Sequence, residues 1–190
     1  MIRRAAVFID KDGTLIEDVP HNTDPQHVRF TPHALRGLQR LAGNGFALFI
    51  VTNQPALASG RVSGAAFDAL RTHIEQRLHD EAGIVLDDWY ICPHAAAAAP
   101  ACACRKPAPG LLQRAAAEHG IELARSWMVG DILDDVEAGR RAGCTTVLLD
   151  VGNETVWHRT PQREPHHRCR DLNAAASLIT AAARAGALAA

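Results

Sequence analysis

Two aspartates, Asp10 and Asp12, follow a run of four apolar residues near the start of the chain. Such a run is typical of a strand buried in a parallel sheet, so the charged residues at its end do not belong to the core. Residues i and i+2 of an extended segment point the same way, and Gly13 permits a tight turn after them. Ligands of open α/β sheets bind beyond the carboxyl ends of the strands. We therefore expect chemistry at this pair, with an acidic surface loop as the alternative.

Two other apolar runs end in polar residues in the same way. Residues 46–51 precede Thr52 and Asn53, and residues 127–129 lead to Asp131. The carboxyl ends of parallel strands meet at one edge of a sheet, which favours a shared site over unrelated loops. Clustered carboxylates suit a hard cation, and Mg²⁺ binds one or two of them while keeping positions for water and substrate phosphate. The pattern therefore indicates phosphate chemistry.

The elements that must position these residues alternate between strands and helices. Apolar runs predict strands at residues 6–9, 46–51, 89–91, 127–129 and 145–149. Helical periodicity and end signals predict helices over residues 32–42, 63–83, 109–119, 134–142 and 171–183. This alternation predicts an α/β fold with a mostly parallel sheet and helices on both faces.

The connections between these elements complete the predicted organisation. Thr31 is expected to be the N-cap of the first helix, with Pro32 at its first position. The preceding residues, 17–31, indicate a long functional loop, and residues 150–170 are polar and irregular. Neither of the first two strands is followed by a connection long enough for a cap domain. Residues 1–190 are therefore expected to form one domain.

Composition and charge exclude several classes of function. A formal net charge of −1 at pH 7 over 190 residues argues against binding to a nucleic-acid backbone. The longest uncharged apolar runs, 46–51 and 95–103, are too short to cross a bilayer. Arg3 and Arg4 precede only a five-residue apolar run, which is too short for a secretion signal. We expect a cytoplasmic enzyme that is a monomer and has neither a nucleic-acid nor a membrane partner.

Three of the five cysteines crowd into one short segment together with a histidine. They form two close pairs that supply three thiolates and an imidazole, namely Cys92, His94, Cys102 and Cys104. This is the ligand set of a closed, structural zinc site. The alternative is a set of unrelated residues in a reducing cytosol. The spacing predicts a zinc-binding loop over residues 92–104 that positions Arg105 and Lys106 directly after it.

Four segments in chain order carry a family resemblance: Asp10-Lys11-Asp12-Gly13-Thr14, Val51-Thr52-Asn53-Gln54, Arg105-Lys106-Pro107 and Gly130-Asp131-Ile132-Leu133-Asp134-Asp135. They resemble the motifs of haloacid-dehalogenase (HAD) superfamily phosphatases, which implies a Rossmann-like fold. The cysteine-rich segment is similar to the branch that holds heptose bisphosphate phosphatases and histidinol phosphatases. The resemblance implies a small phosphorylated sugar as partner. D-glycero-D-manno-heptose 1,7-bisphosphate, losing its 7-phosphate, is the first candidate, and histidinol phosphate or another small sugar phosphate is the alternative.

The resemblance also implies a reaction through a covalent intermediate and a magnesium ion. Asp10 would be the nucleophile that forms an aspartyl-phosphate, which splits one difficult displacement into two easier ones. Asp12 would protonate the leaving group and then activate water. Mg²⁺ would be bound by the carboxylate of Asp10, the backbone carbonyl of Asp12 and the carboxylate of Asp131.

Further residues receive binding roles from the same resemblance. The phosphoryl oxygens would be bound by Thr52, by the backbone near Asn53 and by Lys106. Arg105 would contact phosphate or substrate. Asp135 would orient Lys106 or the water molecules of the metal rather than bind the metal itself.

The sequence departs from the family pattern at two positions that bear on the substrate. Pro55 follows Gln54 where the heptose enzymes have serine, which removes a backbone donor near the phosphate. Ile132 stands where the family has a lysine, which removes a positive charge. The loop that begins at Pro55 is expected to help select the substrate, so its differences from the heptose enzymes bear on which substrate is bound.

Two other classes of function stay open from the sequence. A phosphoacceptor regulator, such as a receiver domain, also uses aspartates at strand ends with threonine, lysine and Mg²⁺. Such a domain lacks an acid and base two residues after its phosphorylated aspartate, and it carries no zinc loop. A zinc-dependent interaction module would leave the carboxylates at the other strand ends unexplained.

Overall fold

The computed structural model of the protein describes residues 4–95 and 102–188. Its strands are Ala6–Ile9 (β1), Ala47–Asn53 (β2), Asp88–Cys92 (β3), Trp127–Gly130 (β4), Thr145–Leu149 (β5) and His167–Cys169 (β6). Its α-helices are Ala34–Gly43 (α1), Pro55–Ala58 (α2), Gly64–Ala82 (α3), Gly110–His119 (α4), Leu133–Ala142 (α5) and Leu172–Leu188 (α6). Short 3-10 turns lie at Pro25–His27 and Leu123–Arg125.

The strands form one sheet in the order β3-β2-β1-β4-β5-β6, and every neighbouring pair is parallel. The chain starts at β1, proceeds outward through β2 and β3, and then returns to β4 on the other side of β1. The strand order therefore reverses between β1 and β4. Ligands of such sheets bind beyond the carboxyl ends of the strands at this reversal. The strand order therefore predicts a ligand site at the residues that follow β1 and β4.

Helices cover both faces of the sheet, as the sequence predicted. Along β1 the side chains alternate, so that Val7 and Ile9 pack into one apolar cluster and Ala6 and Phe8 into another. The first cluster includes buried residues of α1, α3 and α6, and the second includes those of α4 and α5. Burial on both sides explains why the central strands are apolar runs without polar alternation.

The predicted start of α1 is wrong. The helix begins at Ala34, and His33 before it has a left-handed backbone with φ of 62°. The Thr31 hydroxyl does not cap the helix; it donates a hydrogen bond to the Thr14 carbonyl at 2.6 Å. The Thr31 carbonyl accepts a hydrogen bond from the Ala34 amide, which closes a turn around Pro32. The Thr31 side chain, which the local pattern assigned to the helix cap, therefore makes a tertiary contact instead.

Two short elements were not predicted. Strand β6 lies in the segment expected to be irregular, and it pairs with β5 through Val147 and His167. None of its three side chains is fully buried, so it carries no apolar run. Helix α2 begins at Pro55, and proline suits this first helical position because the amide hydrogen it lacks would have no partner within the helix.

The connections after β1 and β2 hold no cap domain. Residues 10–33 contain only turns, isolated β-bridges and the first 3-10 segment, and α2 is the one helix or strand in residues 54–63. Among the described helices, none combines the length and the apolar character that crossing a bilayer requires. That residues 1–190 form a single domain stays a prediction.

Candidate active site

Lys106 joins three elements at the carboxyl edge of the sheet. Its Nζ atom lies 2.5 Å from Asp10 Oδ1, just after β1, and 2.6 Å from Asp135 Oδ1 in the first turn of α5. It also donates to the Val51 carbonyl of β2 at 2.8 Å. Each of these charged groups is at most 7% exposed. The ammonium group is therefore fixed among buried acceptors, directly beside the carboxylate that the sequence singled out as nucleophile.

Asn53 fixes the backbone of Lys106. Its side-chain amide donates to the Lys106 carbonyl, and its side-chain oxygen accepts from the Lys106 amide, both at 3.0 Å. The two residues are 53 positions apart in sequence. Because both polar atoms of the carboxamide are engaged, the Asn53 side chain acts as a clamp on Lys106. The phosphate-binding role that the sequence assigned near Asn53 is left to its backbone.

Asp131 directly follows β4. Its Oδ1 accepts a hydrogen bond from the Thr14 hydroxyl at 3.1 Å, and its Oδ2 accepts one from the Asn153 side-chain amide at 2.8 Å. Gly13, with φ of 78°, lies so close that a Cβ atom there would be 2.1 Å from Asp131 Oδ2. The turn after β1 therefore requires glycine both for its backbone conformation and for space.

The three buried carboxylates have the donor set of a magnesium site. Oxygen atoms of Asp10, Asp131 and Asp135 all lie within 4.8 Å of one another. Burial, opposed by the charge of Lys106, raises the pKa of Asp10 to about 7. Burial and the charge of Asp10 raise the pKa of Asp131 to about 6. One ammonium group does not balance three carboxylates, so a divalent cation with oxygen ligands fits the charge of this cluster.

Asp12 is held by two side chains that the sequence analysis did not single out. Lys11 Nζ lies 2.7 Å from Asp12 Oδ1, and Gln54 Nε2 donates to Asp12 Oδ2 at 2.8 Å. Gln54 Nε2 also donates to the Thr52 hydroxyl at 2.9 Å. The ammonium group of Lys11, itself buried, lies 5.8 Å from the ring centre of Phe67. The carboxylate of Asp12 and the Thr52 hydroxyl are therefore linked through one amide.

The four predicted zinc ligands converge. Cys92 Sγ lies 3.7 Å from Cys102 Sγ and 3.2 Å from Cys104 Sγ. His94 Nδ1 lies 3.5 Å from Cys92 Sγ and 3.3 Å from Cys104 Sγ. In a tetrahedral site with Zn–S near 2.3 Å and Zn–N near 2.0 Å, ligand atoms stand roughly 3.5–3.8 Å apart. The cluster fits zinc, although residues 96–101 of the predicted loop lie outside the described residues.

Arg105 contacts the thiol cluster and is followed directly in the chain by Lys106. The Arg105 amide donates to Cys102 Sγ at 3.3 Å, and its guanidinium donates to the His94 carbonyl at 2.9 Å. Although burial opposes the effect, this amide and the neighbouring thiols lower the pKa of Cys102 to about 7. Arg105 also lines a cavity of about 560 Å³, together with Lys106, Asp134 and Arg141.

The structure thus brings the predicted residues into three linked groups. Asp10, Asp131, Asp135 and Lys106 form the carboxylate centre; Asp12 and Thr52 share Gln54; and the zinc ligands precede Arg105. The sequence analysis missed four contacting residues, namely Lys11, Gln54, Asn153 and Glu154, the last of which accepts a hydrogen bond from the Leu133 amide at the start of α5. The signal for the last two was present, because β5 ends at the same edge as β1, β2 and β4 and is followed by Gly152-Asn153.

Comparisons with known proteins identify relatives of this chain. A family model described as HAD-hydrolase-like matches residues 103–175. The D-glycero-beta-D-manno-heptose-1,7-bisphosphate 7-phosphatase of Haemophilus ducreyi is 36% identical over 150 residues, which are 77% of this chain and 82% of that protein.

Two solved structures share the fold over nearly the whole chain. One is the D,D-heptose 1,7-bisphosphate phosphatase from B. bronchiseptica in complex with magnesium and phosphate. It has a TM-score of 0.79 and 28% identity, over 94% of this chain and 99% of that one. The other is a HAD-like phosphatase from Mesorhizobium loti, with a TM-score of 0.80 and 30% identity, over 95% of this chain and 86% of that one.

Proposed function

The chain belongs to the HAD-like hydrolase family, and on this premise we propose that it is a magnesium-dependent phosphomonoester hydrolase that acts through an aspartyl-phosphate. The observation that carries the proposal is the buried cluster of Asp10, Asp131, Asp135 and Lys106 at the reversal of the strand order. Asp12, two residues after Asp10, adds the acid and base that a phosphoacceptor regulator lacks.

The proposal assigns a residue to each step of the reaction. The Asp10 carboxylate attacks phosphorus, and Lys106, 2.5 Å from Asp10 Oδ1, offsets the negative charge that gathers on the phosphoryl oxygens. Asp12 donates a proton to the leaving alkoxide and then takes one from the water that hydrolyses the intermediate. The Thr52 hydroxyl, the backbone near Asn53 and Arg105 bind the phosphoryl group or the substrate. Balanced over both steps, a phosphomonoester and water yield an alcohol and inorganic phosphate.

The oxygen donors at this site suit Mg²⁺. The Asp10 carboxylate, the Asp12 carbonyl and the Asp131 carboxylate would hold Mg²⁺, which supplies a positive charge next to the reacting phosphoryl group. Asp135 does not need to be a ligand, because its Oδ1 contacts Lys106 at 2.6 Å. Its role is to keep the ammonium group of Lys106 between the end of β1 and the start of α5.

The substrate that we propose is D-glycero-D-manno-heptose 1,7-bisphosphate, from which the 7-phosphate is removed. Support comes from the activity by which the relatives and the structural neighbour are named. It also comes from the open edge, since no cap covers the site in residues 10–33 and 54–63. Arg105, which lines a cavity together with Lys106, provides a further cationic group for an anionic substrate. Histidinol phosphate is the alternative.

The zinc proposal rests on the thiol cluster. Cys92, His94, Cys102 and Cys104 fill a tetrahedral set with protein ligands, so zinc there would be structural and would leave no position for water. Its function would be to fix the segment that leads into Arg105. We further propose that the enzyme acts in the cytoplasm, where a reducing environment keeps cysteines available as zinc ligands, and that it is a monomer.

One experiment tests the reaction and the substrate together. Wild-type protein and Asp10→Asn are assayed with Mg²⁺ for phosphate release from the heptose bisphosphate, histidinol phosphate, a nucleotide and a phosphopeptide. We expect release from the heptose bisphosphate to be fastest and multiple turnover to disappear in Asp10→Asn, because an amide oxygen is a poor nucleophile. Turnover of the variant within tenfold of wild type would remove Asp10 from its role. A preference for the nucleotide or the phosphopeptide would refute the proposal that the substrate is the heptose bisphosphate.

A further inference from the structure

The loop after β5 returns to the catalytic edge and makes two contacts there. Gly152, with φ of 91°, turns the chain so that the next two side chains reach the segment between β4 and α5. Asn153 Nδ2 donates to Asp131 Oδ2 at 2.8 Å. Glu154 Oε2 accepts a hydrogen bond from the Leu133 amide at 2.9 Å, where a carboxylate is favourable at the start of a helix. The loop is therefore anchored on both sides of Ile132.

We propose that Asn153 is a positioning residue for the metal, because it holds the carboxylate of Asp131 in the orientation that Mg²⁺ requires. The proposal rests on the proposed function only in taking Asp131 as a magnesium ligand. It assigns a purpose to a loop in which the sequence patterns indicated no element and no site.

The geometry leaves the Asp131 carboxylate one orientation. Thr14 donates to Oδ1 from one side and Asn153 donates to Oδ2 from the other, so each oxygen has a donor and keeps a lone pair for a cation. Gly13 closes the remaining space, because even a Cβ atom there would be 2.1 Å from Oδ2 and 2.6 Å from Asn153 Nδ2. Removing the Asn153 donor frees one end of a carboxylate that the charge of Asp10 repels.

The chemistry of the side chain also matters. Asparagine donates a hydrogen bond without adding a charge, so it orients Asp131 and leaves the negative potential of the cluster intact. A lysine or arginine at this position would make the same contact but would repel a divalent cation. Groups that orient metal ligands typically contribute 10–100-fold to metal affinity.

The test measures Mg²⁺ binding in the absence of substrate. Isothermal titration calorimetry with Mg²⁺ compares wild type with Asn153→Ala and Asn153→Leu, which both lose the donor but differ in volume. We expect both variants to bind Mg²⁺ about 10–100-fold more weakly. Asn44→Ala is the matched control. Asn44 lies at the end of α1 on the opposite edge and makes hydrogen bonds to Arg40 and Arg184, so its loss should leave Mg²⁺ affinity unchanged.

A steady-state readout separates positioning from catalysis. The Mg²⁺ concentration for half-maximal activity should rise in both Asn153 variants, while kcat at saturating Mg²⁺ should return to within about threefold of wild type, because Asn153 acts through Asp131. Unchanged Mg²⁺ affinity in folded Asn153→Ala would overturn the proposal, as would weakened binding in the alanine but not the leucine variant. Wild type that binds Mg²⁺ but hydrolyses no phosphomonoester would refute the proposed function and leave this inference standing.

Discussion

At the scale of single residues, the site contains charged groups at the carboxyl edge of the sheet and other groups that hold them in place. Lys106 illustrates the division. Burial lowers the pKa of its ammonium group, but the charges of Asp10 and Asp135 outweigh that effect and raise the pKa. The residue therefore stays charged in a buried position. Its side chain is held by carboxylates and by the Val51 carbonyl, and its backbone is held by Asn53.

The first prediction at this scale concerns Asn53. Asn53→Ala removes both contacts to the Lys106 backbone and leaves its amide and carbonyl without these partners. Because displacement of a catalytic group by about 1 Å can cost on the order of 10²-fold, we expect kcat/KM to fall by roughly that factor. The measurement is phosphate release at saturating Mg²⁺, with Asn44→Ala as control. A loss below threefold would show that the carboxylates alone position Lys106.

At the scale of elements, three strand ends and one loop assemble the site. β1 provides Asp10, β2 provides Thr52 and the clamp on Lys106, β4 provides Asp131, and the loop after β5 provides Asn153. The cysteine cluster joins the end of β3 to the segment before α4. The Gly110 amide donates to the Ala103 carbonyl, and a Cβ atom at Gly110 would be 2.2 Å from that oxygen. The cluster is therefore packed directly onto the start of α4.

The prediction for this element is that zinc positions Arg105 more than Lys106. Cys102→Ser should remove zinc and the thiolate that accepts from the Arg105 amide, while β2 still holds Lys106 through Asn53 and Val51. We expect a folded, zinc-free protein whose KM rises and whose loss in kcat is smaller than that of Asn53→Ala.

Zinc content, circular dichroism and rate on the same sample measure this outcome. Cys169→Ser, a cysteine change outside the cluster, should retain zinc and activity. Full activity in zinc-free Cys102→Ser would separate the cluster from catalysis. A fall in kcat as large as that of Asn53→Ala would show that Lys106 depends on zinc after all.

At the scale of the whole molecule, the sheet holds the site rigid because helices bury both of its faces. α1 packs against α6, the last helix, on the face that carries Val7 and Ile9. Ile179 of α6 is fully buried in that apolar cluster. The carboxyl edge, by contrast, is free of any cap over residues 10–33 and 54–63, so substrate can approach it directly.

The prediction for the whole molecule is that the last helix contributes to global stability. Ile179→Ala should lower the free energy of unfolding by about 2–5 kcal/mol, through lost apolar burial and the cavity that remains. Urea denaturation followed by circular dichroism measures the change. Val85→Ala, at a side chain that is 74% exposed, should change stability by less than about 0.5 kcal/mol. Equal effects of the two changes would mean that α6 is not part of the cooperative core.

The sequence alone determined the class of fold and the principal charged residues of the site. Strands buried on both faces must be apolar runs, and helices on a sheet must carry an apolar stripe, so local periodicity is enough to find them. The rule that parallel strands end at one edge then grouped Asp10, Thr52 and Asp131 without any coordinates. The spacing of the cysteines likewise predicted a cluster that the structure assembles.

Only the tertiary structure decided which side chains hold these groups. Asn53 and Lys106 are 53 residues apart, and Asn153 and Asp131 are 22 apart. Thr31 fits a local capping pattern, yet its hydroxyl hydrogen-bonds Thr14 in another loop. The physical reason is that a single polar side chain has no periodicity. Its hydrogen-bond partner depends on which loops come together once the sheet has formed. Contacts of this kind between distant residues have no signature in the neighbouring sequence.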